Sequence, residues 1–193
     1  MDIPTVQSMM VPISDYATVN ENCSLREAVL ALETAQDNYE SVQKIPGKHR
    51  YKHRAVVVLN EQDRVVGKLS MWDIIKALEP NYEQIGDFSS MSKYGFSGSF
   101  IRSLLKSPGL WSKPLDNLCQ KASSIKVKEI MYTPAEGEFV DENASLNEGI
   151  HLLIMGNHHS LLVTGGKDKK VIGVLRLTDV FEKVCDLIKM DPS

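Results

Sequence analysis

Two short stretches set a carboxylate where a strand gives way to a helix. Gly67, Lys68, Leu69, Ser70, Met71, Trp72, Asp73 puts a hydroxyl three residues before an aspartate. Gly173, Val174, Leu175, Arg176, Leu177, Thr178, Asp179 repeats the glycine and the aspartate, with Arg176 in the hydroxyl's place and Thr178 displaced to the position before the acid. An ionised carboxylate only accepts, through two oxygens, so Asp73 or Asp179 can take both hydrogen bonds of two neighbouring hydroxyls. Ser70, beside the unpaired amides at a helix start, can join them in holding an anion. The same spacing also describes a helix cap that involves no ligand, and both readings stand. Cations precede the paired strands: His53 and Arg54 in the first half, His158 and His159 in the second. Arg54 suits a phosphate best, because a guanidinium makes a bidentate contact and a histidine is only partly charged near neutral pH. Arg176 has two readings, reaching a ligand phosphate or filling the cleft in a salt bridge with Asp179.

The elements that position these residues occur twice. Val19, Asn20, Glu21, Asn22, Cys23, Ser24, Leu25, Arg26, Glu27 returns as Val140, Asp141, Glu142, Asn143, Ala144, Ser145, Leu146, Asn147, Glu148, with six of the nine positions identical. Ser24 with Glu27, and Ser145 with Glu148, predict capping boxes that open two helices. Leu25, Ala28, Val29 and Leu32 recur at helical spacing, and Leu146, Gly149, Ile150 and Leu153 keep the same offsets, so each helix packs one face on a sheet. Strands follow at 55–59 and 65–69, then a helix over 71–78. The second half matches with strands at 160–163 and 171–175 and a helix over 178–190. A duplicated β-α-β-β-α unit in an α+β fold is the expectation, divided into a first domain over 1–79, an insertion over 80–125 and a second domain over 126–193. The insertion has no counterpart in the repeat. Its glycines, serines and prolines mark loops, with one short helix over 100–106.

Composition sets bounds on function. The chain has 193 residues, 42% of them hydrophobic, and a formal charge of −3, which gives no global attraction to nucleic acid or an anionic membrane. A basic run over 44–54, with Tyr51 inside it, is the one feature that suits a phosphate backbone, but it leads directly into the expected cleft. Cys23, Cys119 and Cys185 lie far apart without metal-ligand spacing. No window is apolar enough to span a membrane and no leader is evident, so the expectation is a soluble, cytoplasmic protein with reduced thiols. No phosphate loop, HExxH or nucleophile elbow occurs, and the adjacent His158 and His159 of a strand point to opposite faces. Neither an enzyme nor a metal site is expected.

With both copies of the glycine, hydroxyl and aspartate pattern in place, the chain resembles the CBS domain family over residues 4–79 and 126–190, including the lead-ins Met9, Met10 and Glu129, Ile130, Met131. The resemblance implies two units packed through their sheets with pseudo-twofold symmetry, and two clefts for ligands. It implies AMP, ADP, ATP or S-adenosylmethionine as ligand and no obligatory cofactor. Asp73 or Asp179 would then grip a ribose, Ser70 and Arg54 a phosphate, with His159, Arg176 and Thr178 at the second cleft. Adenine would lie against Thr18 and Val19 or Phe139 and Val140. Such pairs commonly form disc-like dimers, and the signal passes to an effector protein or to the insertion. The rival readings are a structural dimer without ligand and a nucleic-acid binder working through 44–54.

Overall fold

The computed structural model describes residues 4–42, 54–78, 99, 103 and 117–190. In chain order the elements are β1 (Val11–Pro12), β2 (Thr18–Asn20), α1 (Leu25–Val42), β3 (Ala55–Leu59), β4 (Val65–Ser70), α2 (Met71–Leu78), α3 (Leu118–Ser124), α4 (Val127–Ile130), β5 (Phe139–Asp141), α5 (Leu146–Met155), β6 (Ser160–Gly165), β7 (Lys170–Arg176) and α6 (Leu177–Met190). Ser103 is helical, but the rest of the helix expected over 100–106 lies outside the described residues, as do His53 and the basic run up to Arg54.

Each repeat builds a small mixed sheet. β2 runs parallel to β3 and β3 antiparallel to β4, while β5 runs parallel to β6 and β6 antiparallel to β7. The apolar strands β3 and β6 sit centrally, which is why Val56, Val57, Val58 and Leu161, Leu162, Val163 are all buried. Short runs buried on both faces carry no alternation of polarity. Ser24 caps α1 with a complete box, its Oγ accepting from Glu27 N while its own N–H donates to Glu27 Oε2. In the second unit Ser145 Oγ accepts from Glu148 N, but Glu148 makes no return bond among the described residues, so the second box is only half formed.

The two units exchange their leading segments. Val6 is fully buried in the core of the second unit with Leu146, Leu161 and Leu175, and Val127 in the core of the first with Leu25, Val56 and Leu69. The backbone bonds are symmetric: Val6 N donates to Ala144 O and Leu146 N to Pro4 O, while Val127 N donates to Cys23 O and Leu25 N to Ile125 O. Each lead-in then runs along the last strand of the other unit. Val11 pairs with Val174 in β1–β7, and Tyr132 pairs with Lys68 beside β4. A third core, of Val57, Leu162 and Val174 with Leu59, Val65 and Phe139 around them, lies where the two sheets meet. The expected packing of the units through their sheets is therefore what the structure has.

The motif glycines make this exchange possible. A Cβ on Gly67 would lie 2.5 Å from Met131 Sδ and 3.2 Å from Tyr132 O, and one on Gly173 would lie 2.6 Å from Met10 Sδ and 2.8 Å from Val11 O. A thioether can swing aside, but a paired backbone carbonyl cannot. Gly173→Ala is thus expected to destabilise the fold by about 1–3 kcal/mol, and Gly67→Ala by clearly less. Urea unfolding of the two variants checks this, and equal losses would place the strain elsewhere.

Candidate functional site

The turn from β4 into α2 holds Ser70 and Asp73, and the turn from β7 into α6 holds Arg176 and Asp179. The cap reading of the first pair is realised: Ser70 N and Oγ both donate to Asp73 Oδ2, at 2.8 and 2.6 Å, and Asp73 N donates to Ser70 Oγ at 3.2 Å. The two bonds to the carboxylate both use Oδ2, so Asp73 Oδ1 keeps its accepting capacity among the described residues. The second pair behaves differently. Arg176 Nε donates to Asp179 Oδ2 and its Nη2 to Asp179 Oδ1, both at 2.6 Å, a bidentate fork that engages both oxygens. Arg176 is 6% exposed. Of its two readings the salt bridge is formed, and each oxygen of the second carboxylate already accepts one bond from the guanidinium. Tyr16 packs beside this pair, and burial pushes its phenol above the ordinary range, with Arg176 lowering and Asp179 raising it in turn.

A cavity of about 610 Å³ is lined by Arg54, Lys68, Ser70, Asp73 and Trp72 from the first unit and by Tyr132, Glu138, His159, Arg176 and Thr178 from the second. A smaller one of about 260 Å³ holds Asp179, Glu182, Met9 and Met10. Arg176 lines both and stands between them. The structure thus brings together Arg54, Ser70, Asp73, His159, Arg176 and Thr178, and leaves Asp179 behind Arg176. Arg54 and His159 occupy equivalent places, since Arg54 O accepts from Met71 N and His159 O from Leu177 N.

The residues assigned to adenine are not in the cavity walls themselves, but Tyr16 and Glu138 beside them line the larger cavity. Thr18, Val19 and Phe139 line neither cavity, and Val140, 4% exposed, belongs to the core of the second unit. Their strands β2 and β5 pair only with β3 and β6, on the side away from the motif turns.

One group in the larger cavity went unread in the sequence. Glu138 is 2% exposed, accepts from Lys68 Nζ at 2.5 Å through Oε2, and accepts from Tyr132 OH at 2.6 Å and Ala135 N at 3.0 Å through Oε1. Burial pushes its carboxyl up, but the bonds from Lys68, Tyr132 and Ala135 outweigh it and hold it below the usual carboxylate range. The bond to Glu138 raises the Tyr132 phenol. Among the described residues no group of histidine, cysteine and carboxylate side chains could hold a metal ion, and no helix is long and apolar enough to cross a membrane.

The CBS domain family model matches residues 6–80 and 127–186. No curated protein matches the chain. Among solved structures it is similar to a hypothetical conserved protein from Geobacillus kaustophilus, at 16% identity over 96% of this chain and 99% of that one, with a TM-score of 0.58. It is also similar to the CBS-pair protein CBSX2 from Arabidopsis thaliana, at 16% identity over 97% of this chain and 99% of that one, TM-score 0.57. CBSX2 in complex with AMP matches at 18% identity over 95% of this chain and 97% of that one, TM-score 0.55. Likeness at these identities speaks for the fold. The family match spans both copies of the repeat, so this chain belongs to the CBS domain family as a tandem pair of the unit.

Proposed function

We propose that this protein is a non-catalytic regulatory module that binds one adenine nucleotide per chain in the larger cleft and reports its presence to a partner protein. The observation that carries this reading is the contrast between the two aspartates. Asp73 is capped through one oxygen and faces a cavity that both units line, whereas Asp179 is engaged at both oxygens by Arg176. In this reading Asp73 accepts from the ribose hydroxyls, and Ser70 with Arg54 faces the phosphate. The AMP bound in CBSX2, a protein of the same fold, supports the ligand class. A ligand that touches both units favours the arrangement of the units that lets it do so, and this is how occupancy becomes a signal.

We also propose that the chain associates as a homodimer. Leu177, Phe181, Val184 and Ile188 of α6 follow one helical stripe and are exposed, as are Met71, Trp72 and Ile75 of α2. Exposed apolar surface of this extent on neighbouring motif helices fits association with a second copy of the chain.

A ligand at about 100 times its dissociation constant stabilises the folded state by roughly 2.7 kcal/mol. Thermal unfolding with AMP is expected to show that rise in the wild type and to lose it in Asp73→Ala, each compared with its own ligand-free transition. A rise that survives Asp73→Ala would overturn the assignment of the cleft. Arg176→Ser restores the hydroxyl pattern of the first unit and releases Asp179, so titration calorimetry is expected to go from one site per chain to two. Ile75→Glu with Phe181→Glu is expected to turn a dimer into a monomer in analytical ultracentrifugation, and an unchanged mass would remove these helices from the interface.

A further inference from the structure

The pseudo-twofold relation between the units compares each residue of one cleft with its counterpart in the other. Lys68 and Val174 are equivalent, each following the motif glycine and each paired with the central strand, Lys68 with Val57 and Val174 with Leu162. Tyr132 and Val11 are equivalent, each paired with that position in the other unit. Glu138 corresponds to Ala17 through the offset that aligns Val140 with Val19. One half of the molecule therefore carries lysine, tyrosine and glutamate where the other carries valine, valine and alanine.

Three of the four central positions where the sheets meet are Val57, Leu162 and Val174, each at most 1% exposed, and Lys68 is the fourth. An apolar trio fills the equivalent space in the same molecule. Replacing a buried ion pair by well-packed apolar residues is commonly neutral or stabilising, so packing gives no reason for the polar trio. Its geometry gives another. All three residues line the larger cavity with Ser70, Asp73 and Arg54. Glu138 takes one of the three donors of the Lys68 ammonium, and the other two have no partner among the described residues. Both Glu138 oxygens are engaged, so what the trio offers the cavity is a positioned, largely buried cation, its ammonium over the Tyr132 ring at 5.6 Å from the centroid.

We infer that Lys68, held by Glu138 and Tyr132, is the specificity-determining residue of this cleft: its ammonium donates to the anionic group of the ligand and selects phosphorylated adenosine over neutral or cationic adenosyl compounds. The inference rests on the nucleotide reading of the Asp73 cleft. A phosphate can share the ammonium with Glu138, because Glu138 takes only one of its three donors. Adenosine leaves those donors without a charged partner, and S-adenosylmethionine sets a sulfonium, a like charge, at the 5′ position where AMP carries its phosphate.

The test is titration calorimetry with AMP, adenosine and S-adenosylmethionine on the wild type, on Lys68→Arg, and on the triple variant Lys68→Val, Glu138→Ala, Tyr132→Val, which copies the apolar trio of the second unit. The triple variant leaves no buried charge unpaired, and circular dichroism with thermal unfolding confirms that it folds. The wild type is expected to bind AMP at least tenfold tighter than adenosine or S-adenosylmethionine. The triple variant is expected to lose that preference by weakening AMP alone, and Lys68→Arg to keep most of it. A folded triple variant with an unchanged ratio of AMP to adenosine affinity overturns the role of Lys68 and leaves the Asp73 cleft standing. Absence of AMP binding to the wild type overturns the nucleotide reading and this inference with it.

Discussion

Each lead-in segment lies against a glycine of the other unit, and the rest of the molecule depends on that close approach. With no side chain at Gly67 or Gly173, Met131 and Met10 reach the sheet and the carbonyls of Tyr132 and Val11 come within van der Waals range of the strands. The lead-ins carry Val6 and Val127 into the opposite cores, so neither unit completes its core alone. The exchange also makes the clefts composite. Glu138 and Tyr132 reach the wall of the Asp73 cleft because the second unit's lead-in runs past β4, and Met9 and Met10 reach the Asp179 side for the same reason. The glycine of the motif is thus a packing residue first, and the site exists because the packing does.

Within that symmetric frame the exchange of Ser70 for Arg176 sets the two aspartates apart. A serine three residues before an aspartate satisfies one carboxylate oxygen, because a hydroxyl has one proton and the backbone N–H converges on the same atom. An arginine at the same offset brings two parallel donors and takes both oxygens. Buried at the junction of the cavities, the guanidinium cannot leave Asp179 without an anion to replace it, since an uncompensated buried charge is strongly destabilising, by about 3–5 kcal/mol in measured cases. Identical folds at the two sites therefore give different chemistry.

Much of this was legible in the sequence because it is local. The bounds of β3 and α2, the cap of α1 by Ser24 and Glu27, and the duplicated order of elements all follow from patterns within nine or so residues. What was not legible joins distant residues. Lys68 and Glu138 are 70 positions apart, and in sequence each reads as an ordinary charge on a polar segment. Only the exchange of lead-ins places them together, and no periodicity encodes it. The adenine assignments to Thr18, Val19, Phe139 and Val140 rested on resemblance, and the cavity wall at those strands is formed by their neighbours Tyr16 and Glu138. The half-formed box at Ser145 shows the same limit in reverse, since a capping pattern permits a return bond without requiring it.

A cleft walled by both units couples occupancy to their arrangement. A ligand shifts an equilibrium only by the difference in its affinity for the two states, so a site built within one unit would bind without reporting. Here the larger cavity is walled by Arg54 just before β3, by β4 and by the lead-in of the second unit, and Lys68 belongs at once to the cavity and to the layer where the sheets meet. A change in how far the sheets are rotated against each other moves Glu138 relative to Lys68, and with it the ammonium. Close packing makes such a layer switch between discrete arrangements instead of deforming smoothly.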